Sequence, residues 1–254
     1  MASNLPAYVV IGAAGGIGSS LCRMLAAKGA RLFLVGQTAE KLDGLAAELR
    51  DGNADGEYIP HRADATISSD VDSAFAAAGE RFGALAGAVN LVGSIPIKPA
   101  HQTADAELER TLLLNVHTAF FTLRAAARIM MATGGSIVLA SSVAARIGLA
   151  NHESIALAKA AVEGLVRAAA ATYAGKNIRV NAVAPGLVDT PLAAKFTASE
   201  LTLKASTAMH PLGRIGTPDD VAPAIAWLLD PATTWVTGQV LGIDGGLSTV
   251  KAKA

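Results

Sequence analysis

The sequence predicts an α/β fold, a single domain over residues 1–254 built on one doubly wound, parallel, seven-stranded sheet. The length of 254 residues suits one large domain. Short apolar runs alternate with longer runs that carry apolar residues at helical spacing, and no long linker separates them. The chain is 52% hydrophobic but only 4% aromatic, which fits alanine-rich helices packed on an aliphatic sheet.

The first strand and helix are joined by a glycine-rich turn. The apolar run Tyr8–Ile11 is followed by glycines at positions 12, 15, 16 and 18. Apolar residues at helical spacing then predict a helix that ends before Gly29, a residue typical of helix C-termini. Backbone N–H groups and the helix dipole at such a turn favour a bound pyrophosphate; the alternative is a tight turn without a ligand.

The remaining elements follow in alternation. Strands are predicted at seven apolar runs: Tyr8–Ile11, Arg31–Val35, Glu57–His61, Ala86–Leu91, Gly135–Ala140, Ile178–Ala184 and Val240–Ile243. Helices are predicted over 17–28, 38–51, 68–82, 104–132, 152–174, 191–208 and 218–229. Short connections hold many of the glycines and prolines, and Asn53 to Gly56 form a predicted surface turn.

Composition excludes several classes of function. The formal net charge is zero and no basic block stands out, so neither a nucleic-acid partner nor a membrane partner is predicted. The single cysteine, Cys22, has no intrachain partner and is expected to pack in the first helix. No metal site is predicted. We find no signal peptide and no apolar run long enough to span a bilayer, so we expect a cytoplasmic protein.

The predicted carboxyl ends of the strands carry small and polar residues, at the sheet edge where ligands bind in such folds. These segments are Gly36-Gln37-Thr38, Ala63-Asp64-Ala65, Asn90 to Gly93, Ser141-Ser142 and Pro185 to Thr190. An extended dinucleotide needs an edge of this kind, with small residues that leave room and polar groups that form hydrogen bonds.

These segments together resemble the short-chain dehydrogenase/reductase family along nearly the whole chain. The resemblance rests on Gly12-x-x-x-Gly16-Ile17-Gly18, on Asn181 to Pro191, on Pro211 to Pro218 and on Val236 to Gly246. It implies a Rossmann-type fold, an NAD(P) cofactor and a small-molecule substrate. The cofactor-binding residues it implies are Gly12, Gly15, Gly16, Ile17, Gly18, Gln37, Thr38, Asp64, Ala65, Asn90, Gly93, Lys159, Pro185, Gly186, Val188 and Thr190.

The same resemblance implies roles for catalytic residues. Asn115 matches a helix asparagine that supports a proton-relay water, and a local kink with a bound water is expected there. Ser142 matches the serine that polarises the substrate, whereas Ser141 is expected to be structural. Lys159 matches the lysine that grips the nicotinamide ribose, with the ribose and the Asn115 backbone as its expected partners. Asp64 matches the acid that binds the adenine amino group.

One departure concerns the proton donor. Members of the family usually place a tyrosine thirteen residues after the serine and four before the lysine, and both counts lead to Ile155. A phenol gives a proton to the carbonyl oxygen as hydride arrives, and an isoleucine side chain cannot. Loss of a positioned general acid costs on the order of 10²–10⁴ in rate.

His152 is the predicted replacement. It lies two helical turns before Lys159, so both side chains face nearly the same way, and the related enoyl reductases place their tyrosine at this spacing. Histidine as a residue type exchanges protons near neutral pH. The alternative is that His152 and Glu153 are polar residues at a helix start capped by Asn151. Ser154 is the weaker donor because its position is rotated off the Lys159 face.

The cofactor form stays open in the sequence. After the second strand, Gln37 replaces both the acid typical of NAD sites and the arginine typical of NADP sites. Gly15 stands where a helper cation occurs in the family, and Lys41 lies one turn further on.

We expect an oxidoreductase that moves hydride between NAD(P)H and a small carbonyl or activated C=C compound, with an altered proton donor. The alternatives are a nucleotide-binding subunit or sensor without redox turnover, and a lyase or isomerase on the same scaffold. Alanine-rich helices over 104–132 and 152–174 predict a homo-oligomer, a tetramer or dimer, as the family implies. The segment of about 190–210 is expected to be a substrate lid. Its residues Leu192, Phe196, Leu201 and Leu203 form either an apolar wall for the substrate or the internal packing of the lid.

Overall fold

The computed structural model describes residues 5–53 and 56–251. Seven parallel strands form one sheet in the order β3-β2-β1-β4-β5-β6-β7. The strands are β1 Ala7–Ile11, β2 Arg31–Gly36, β3 Tyr58–Arg62, β4 Gly87–Asn90, β5 Gly135–Ala140, β6 Ile178–Pro185 and β7 Val240–Ile243. The predicted single-domain, doubly wound α/β fold is therefore confirmed. Of the predicted turn at 53–56, positions 54 and 55 lie outside the described residues.

Helices cover both faces of the sheet. They are α1 Gly16–Ala27, α2 Ala39–Gly52, α3 Ser68–Phe82, α4 Asp105–Leu112, α5 Thr118–Met130, α6 Glu153–Tyr173, α7 Ala194–Thr197, α8 Glu200–Met209 and α9 Pro218–Leu229. Successive residues of β1 join opposite cores: Val9 packs on one side of the sheet and Val10 on the other. Every residue of β1 is buried, which explains its unbroken apolar sequence.

Two predicted helices are interrupted. The helix expected over 104–132 contains a π-helical turn at Leu113–His117, between α4 and α5. The helix expected over 191–208 is three short pieces: a 3₁₀ turn at Pro191–Ala193, then α7, then α8. Ser199 starts α8 by accepting a hydrogen bond from the Thr202 N–H (3.4 Å). A local cap thus breaks a segment whose apolar pattern alone suggests continuity.

The topology fixes where a ligand fits. From β1 the chain builds outward to β2 and β3 on one side, and then crosses to β4 on the other. The connections on either side of β1 diverge and leave a crevice beyond its carboxyl end. The glycine turn Gly12 to Gly18 lies at this crevice, where Gly12 adopts φ +83°.

Gly18 allows α1 to start directly against the turn. A Cβ at this position would overlap the Gly12 carbonyl oxygen and lie 2.8 Å from that of Ala13. These neighbours are backbone atoms, so they cannot move away as a flexible side chain would. On its other side α1 packs on α9, where the Ser20 hydroxyl donates to Asp219 (2.5 Å).

We expect Gly18→Ala to destabilise the protein by about 1–3 kcal/mol, because the added methyl overpacks the turn. Gly44→Ala in α2 is the matched control. A Cβ there meets no atom within 4 Å, and alanine should stabilise the helix by about 0.5–1 kcal/mol. Urea denaturation measures both, and equal effects of the two substitutions would contradict the crowding at Gly18.

Candidate functional site

A cleft of about 260 Å³ opens at the carboxyl edge of the sheet, between the ends of β4, β5 and β6. Asn115, Ser142, His152 and Lys159, the four predicted catalytic residues, all line it. So do some of the predicted cofactor-binding residues: Ile17, Gly93, Pro185, Gly186, Val188 and Thr190. The other predicted cofactor residues lie outside this cleft, at the glycine turn and at the ends of β2, β3 and β4.

Asn115 lies in the π-helical turn, and this is the local distortion that the sequence predicted. The side chain is 1% exposed. Its Nδ2 donates to the Thr111 carbonyl (2.9 Å) and to the Ser94 hydroxyl (2.9 Å), while Oδ1 accepts from the Ser94 N–H (3.2 Å). The wide turn therefore aims the amide at the segment that follows β4. Ser94 was not predicted from the sequence.

Lys159 carries the buried cation of the cleft. Its side chain comes from α6, is 6% exposed, and donates through Nζ to the Ala140 carbonyl (2.8 Å) at the end of β5. Burial lowers its pKa from 10.5 to about 8. The sequence predicted the Asn115 backbone as a partner of this ammonium, and that prediction is wrong: Nζ binds the Ala140 carbonyl instead. α6 packs directly beside β5, so the nearest acceptor is the last carbonyl of that strand.

The two serines after β5 have different surroundings. The Ser142 hydroxyl oxygen accepts from the Ala144 N–H (3.2 Å), which leaves its own hydrogen free to be donated into the cleft. Ser141 donates to Glu163 (3.0 Å), and Glu163 also pairs with Arg146 (3.1 Å). Ser141 is thus tied to α6 and does structural work, as expected.

The side chain of Ile155 is 3% exposed and lines the cleft, so hydrocarbon occupies the position where a phenol was expected. His152 is the residue that caps α6, but its side chain makes no capping hydrogen bond. Asn151, the expected cap, is instead in the left-handed conformation with φ +64°. His152 Nδ1 lies 2.7 Å from the Ala150 carbonyl, so Nδ1 carries a hydrogen and Nε2 is left to face a ligand. Ser154 is buried outside the cleft lining.

The glycine turn fits the pyrophosphate of a dinucleotide. No side chain caps α1 and its first turn holds no acidic residue, so its N–H groups remain open to an anion. A Cβ at Gly16 would lie 2.7 Å from the Thr190 side chain, so the glycine turn and the segment after β6 form a narrow cradle. Across the cleft, a Cβ at Gly93 would lie 2.8 Å from Asn115 Oδ1. Only the backbone can line these two places.

Polar groups continue along the edge towards β3. Burial favours the neutral form of Asp64, but hydrogen bonds from Thr66 and Gln37 outweigh burial and hold its pKa below the usual value. Ala65, the next residue, is buried. Asn90 accepts from the Val92 N–H (2.9 Å), whereas its buried amide nitrogen has no hydrogen-bond partner in the described structure. Gln37 and Thr38 are exposed at the end of β2.

The segment 191–210 forms one wall of the cleft. Leu192 and Phe196 line it as predicted, but Leu201 and Leu203 do not. Because α8 starts at Glu200, its inward face consists of Thr202, Ser206 and Met209, at helical spacing. Leu201 consequently points outward and is 81% exposed.

His210 ends this wall and was missed in the sequence, where nothing distinguishes it from a surface histidine. It is buried, and both ring nitrogens are used. Nδ1 donates to the Ser206 carbonyl (2.7 Å), and Nε2 accepts from the Leu187 N–H (3.3 Å). The ring therefore ties α8 to the segment after β6. It is unavailable as a proton donor, which leaves His152 as the histidine of the cleft lining with a free ring nitrogen.

Comparison with known proteins identifies the family. A family model described as enoyl-(acyl carrier protein) reductase matches residues 12–248. The chain is 39% identical over 244 residues to cis-4-hydroxycyclohexanecarboxylate dehydrogenase of Sinomonas cyclohexanicum, covering 95% of this chain and 96% of that one. The chain belongs to the short-chain dehydrogenase/reductase family.

Solved structures agree with this assignment. A short-chain dehydrogenase/reductase from Mycobacterium ulcerans superimposes with a TM-score of 0.92 at 34% identity, covering 97% of this chain and 91% of that one. A tryptophan variant of actinorhodin polyketide ketoreductase, solved with NADPH, gives 0.91 at 28% identity, covering 98% of this chain and 100% of that one. The relatives are named as dehydrogenases and reductases, which supports an oxidoreductase of this family.

Residues 5–53 and 56–251 contain no cluster of three or more potential metal ligands. Each helix within those ranges is too short or too polar to be a transmembrane span. Cys22 is buried, and burial raises the pKa of its thiol. The expected packing role of Cys22 is thereby confirmed.

We expect Lys159→Met to stabilise the protein while weakening the site. The pKa of Lys159 is about 8 when folded and near 10.5 when unfolded, so burying the ammonium costs stability below pH 8. That cost falls as the pH rises from about 8 to 10.5, because there the folded state has already released the proton. The variant should be more stable by about 1–3 kcal/mol at pH 7, and by less at about pH 9.5. Urea denaturation at both pH values checks this, and a constant difference would contradict it.

Proposed function

We propose that this protein is an NAD(P)-dependent oxidoreductase that moves hydride to or from a small organic substrate, with His152 handling the proton. The observation that carries the proposal is the convergence of Asn115, Ser142, His152 and Lys159 in one cleft, next to an uncapped glycine turn. The names of the relatives support hydride transfer, and NADPH in a structure of the same fold supports the type of cofactor.

The cofactor supplies the hydride donor or acceptor when it is bound. The glycine turn and the first turn of α1 would hold its pyrophosphate, and Lys159 its nicotinamide ribose. Pro185, Gly186, Val188 and Thr190 would surround the nicotinamide end, and the adenosine end would lie over Gln37, Thr38, Asp64, Ala65, Asn90 and Gly93. The buried ammonium of Lys159 suits this role, since ribose hydroxyls would add acceptors to the Ala140 carbonyl that Nζ already contacts.

The proton follows a route made by this chain's own residues. The free hydroxyl hydrogen of Ser142 binds and polarises a substrate oxygen. His152 Nε2 then gives or takes the proton, because Nδ1 is held by the Ala150 carbonyl. Asn115 holds a water in the relay from solvent. Ile155 excludes water from the vacant phenol position, and Ser154 takes no part.

The substrate has a small, largely apolar body. Residues of the cleft lining that are free of the cofactor region are mostly hydrocarbon: Ile95, Ile97, Val143, Leu149, Leu192, Phe196 and Met209. The cleft volume of about 260 Å³ lies below the range of about 300–1,000 Å³ that is typical of drug-sized ligands. A relative that acts on a ring alcohol supports a cyclic ketone or alcohol. Reduction of an activated C=C bond fits the same site, because an enolate needs less proton donation than an alkoxide.

The segment of about 190–210 acts as the lid of this cleft. Its α8 face lines the substrate side, and His210 joins it to the Leu187 backbone at the nicotinamide side. Substrate binding and cofactor binding would therefore affect each other through His210.

His152→Ala should lower kcat by on the order of 10²-fold or more with a ring ketone or enone that the parent reduces, since general acid–base catalysis is lost. Binding of the cofactor should stay unchanged. His101→Ala, at an exposed histidine outside the cleft, is the control and should leave both quantities unchanged. Nicotinamide absorbance measures turnover and fluorescence titration measures binding; full activity of His152→Ala would remove His152 from the mechanism.

Ile155→Tyr restores a phenol at the position where the family usually has its tyrosine. If the cleft keeps the geometry of a ketone reductase, the restored phenol should rescue His152→Ala at least tenfold. Cofactor binding without turnover by the parent, over a broad panel of carbonyl and enone compounds, would contradict the redox function. That result would favour a sensor, a lyase or an isomerase.

The proposal includes a homo-oligomer, a tetramer or dimer. Large apolar side chains are exposed on the two helices expected to mediate it, Phe120 on α5 (47%) and Leu157 on α6 (55%). Light scattering after size exclusion should give a multiple of 25.7 kDa, and Leu157→Lys should shift the mass downward. A parent protein with the mass of a single chain would contradict the oligomer.

A further inference from the structure

An unpaired guanidinium lies at the adenosine end of the crevice. Arg62 is the last residue of β3, the edge strand of the sheet, and is paired in register with Gly36 at the end of β2. Its Nε donates to the Gln37 carbonyl (3.3 Å), so the guanidinium lies against the exposed loop that follows β2. Its other two nitrogens have no hydrogen bond or ion pair among the described residues.

The nearby acid does not neutralise this charge. Asp64 accepts hydrogen bonds from the Thr66 N–H (2.8 Å) and hydroxyl (2.7 Å), and the Gln37 side chain also binds it. The cation that helps to hold the pKa of Asp64 low is Arg110, on α4. Arg62 therefore keeps a full positive charge for a ligand that reaches the Gln37 loop.

Gln37 does not by itself favour either NAD or NADP. It has no carboxylate to accept hydrogen bonds from both ribose hydroxyls, and no charge to neutralise a phosphate. Its amide is hydrogen-bonded to Asp64, and the positive charges at this loop are those of the Arg62 guanidinium and of the exposed Lys41, one turn into α2. A guanidinium that forms no ion pair among the described residues suits a phosphate group better than a neutral diol, since guanidinium binds phosphate oxygens through charge-assisted hydrogen bonds.

We propose that Arg62 is the residue that binds the 2′-phosphate of NADP(H), so that this chain takes the phosphorylated coenzyme. The inference rests on the proposed function, since it concerns the adenosine end of the same cofactor site. In this proposal the residue that selects the coenzyme lies on the edge strand β3 and not in the loop after β2. Its contact with the Gln37 carbonyl holds it beside that loop.

Binding titrations without substrate test this. The parent protein should bind NADPH about tenfold or more tightly than NADH, as expected for a charge-assisted contact. Arg62→Gln should remove that preference by weakening NADPH about tenfold, and should leave NADH within about twofold. Adenosine 2′,5′-bisphosphate, a probe without a nicotinamide, should bind the parent and lose affinity in the variant to the same degree. Higher salt should weaken NADPH more than NADH.

Two further variants keep the result interpretable. Arg128→Gln removes a guanidinium that is 65% exposed on α5, and should change neither titration. Gln37→Asp puts a carboxylate on the loop that Arg62 contacts, where it would accept hydrogen bonds from a ribose diol and repel a phosphate, and should reverse the preference towards NADH. A parent that binds NADH more tightly, or an Arg62→Gln variant with an unchanged ratio, overturns the role of Arg62 and leaves the dinucleotide site standing. Failure of the parent to bind either nucleotide overturns the proposed function as well.

Discussion

The burial of one ammonium group, that of Lys159, is the constraint on which the site depends. Removing a cation from water is costly unless polar partners replace the lost hydration. Among the described residues, the Lys159 ammonium donates one hydrogen bond, to the carbonyl at the end of β5. The lowered pKa of Lys159 reflects the desolvation that this bond does not offset. α6 must therefore be held firmly against β5, which the Ser141–Glu163 contact and the apolar packing of α6 achieve. In the proposed complex a bound ribose would relieve this cost, so the residue whose burial costs stability would also be the one that binds the cofactor.

Lys159 has an isoleucine four residues before it, where most members of the family have a tyrosine. In a conventional site the ammonium would act on an acidic neighbour four residues away. Ile155 lines the cleft at that position, and in the mechanism proposed above the proton is handled by His152, at the start of α6. His152 is partly exposed, which would suit an imidazole that must be reprotonated in each cycle. His210 joins the wall formed by α8 to the segment after β6, next to the proposed nicotinamide site.

Sequence reasoning recovered the parts that depend on local pattern. Buried strands such as β1 are predicted from apolar runs, and the spacing from Ser142 to Lys159 points to Ile155, which lines the same cleft as both. It failed where contacts between distant segments decide the outcome. The phase of α8 depends on the cap at Ser199, so Leu201 was assigned inward although it faces solvent. Arg62 gained significance only once strand pairing put it beside Gln37, 25 residues away in the sequence.

The wide turn at Leu113–His117 has a consequence for how this helix tolerates change. A π-turn holds one residue more than the regular helix on either side of it. The phase of α5, and with it the packing of Ala119 and Leu123 in the core, is therefore set independently of the phase of α4. Loss of a single residue here would heal the helix into a continuous α-helix and keep the core intact. If the lost residue is Asn115, the amide that lines the cleft goes with it, so the scaffold would survive a change that removes the proposed water relay.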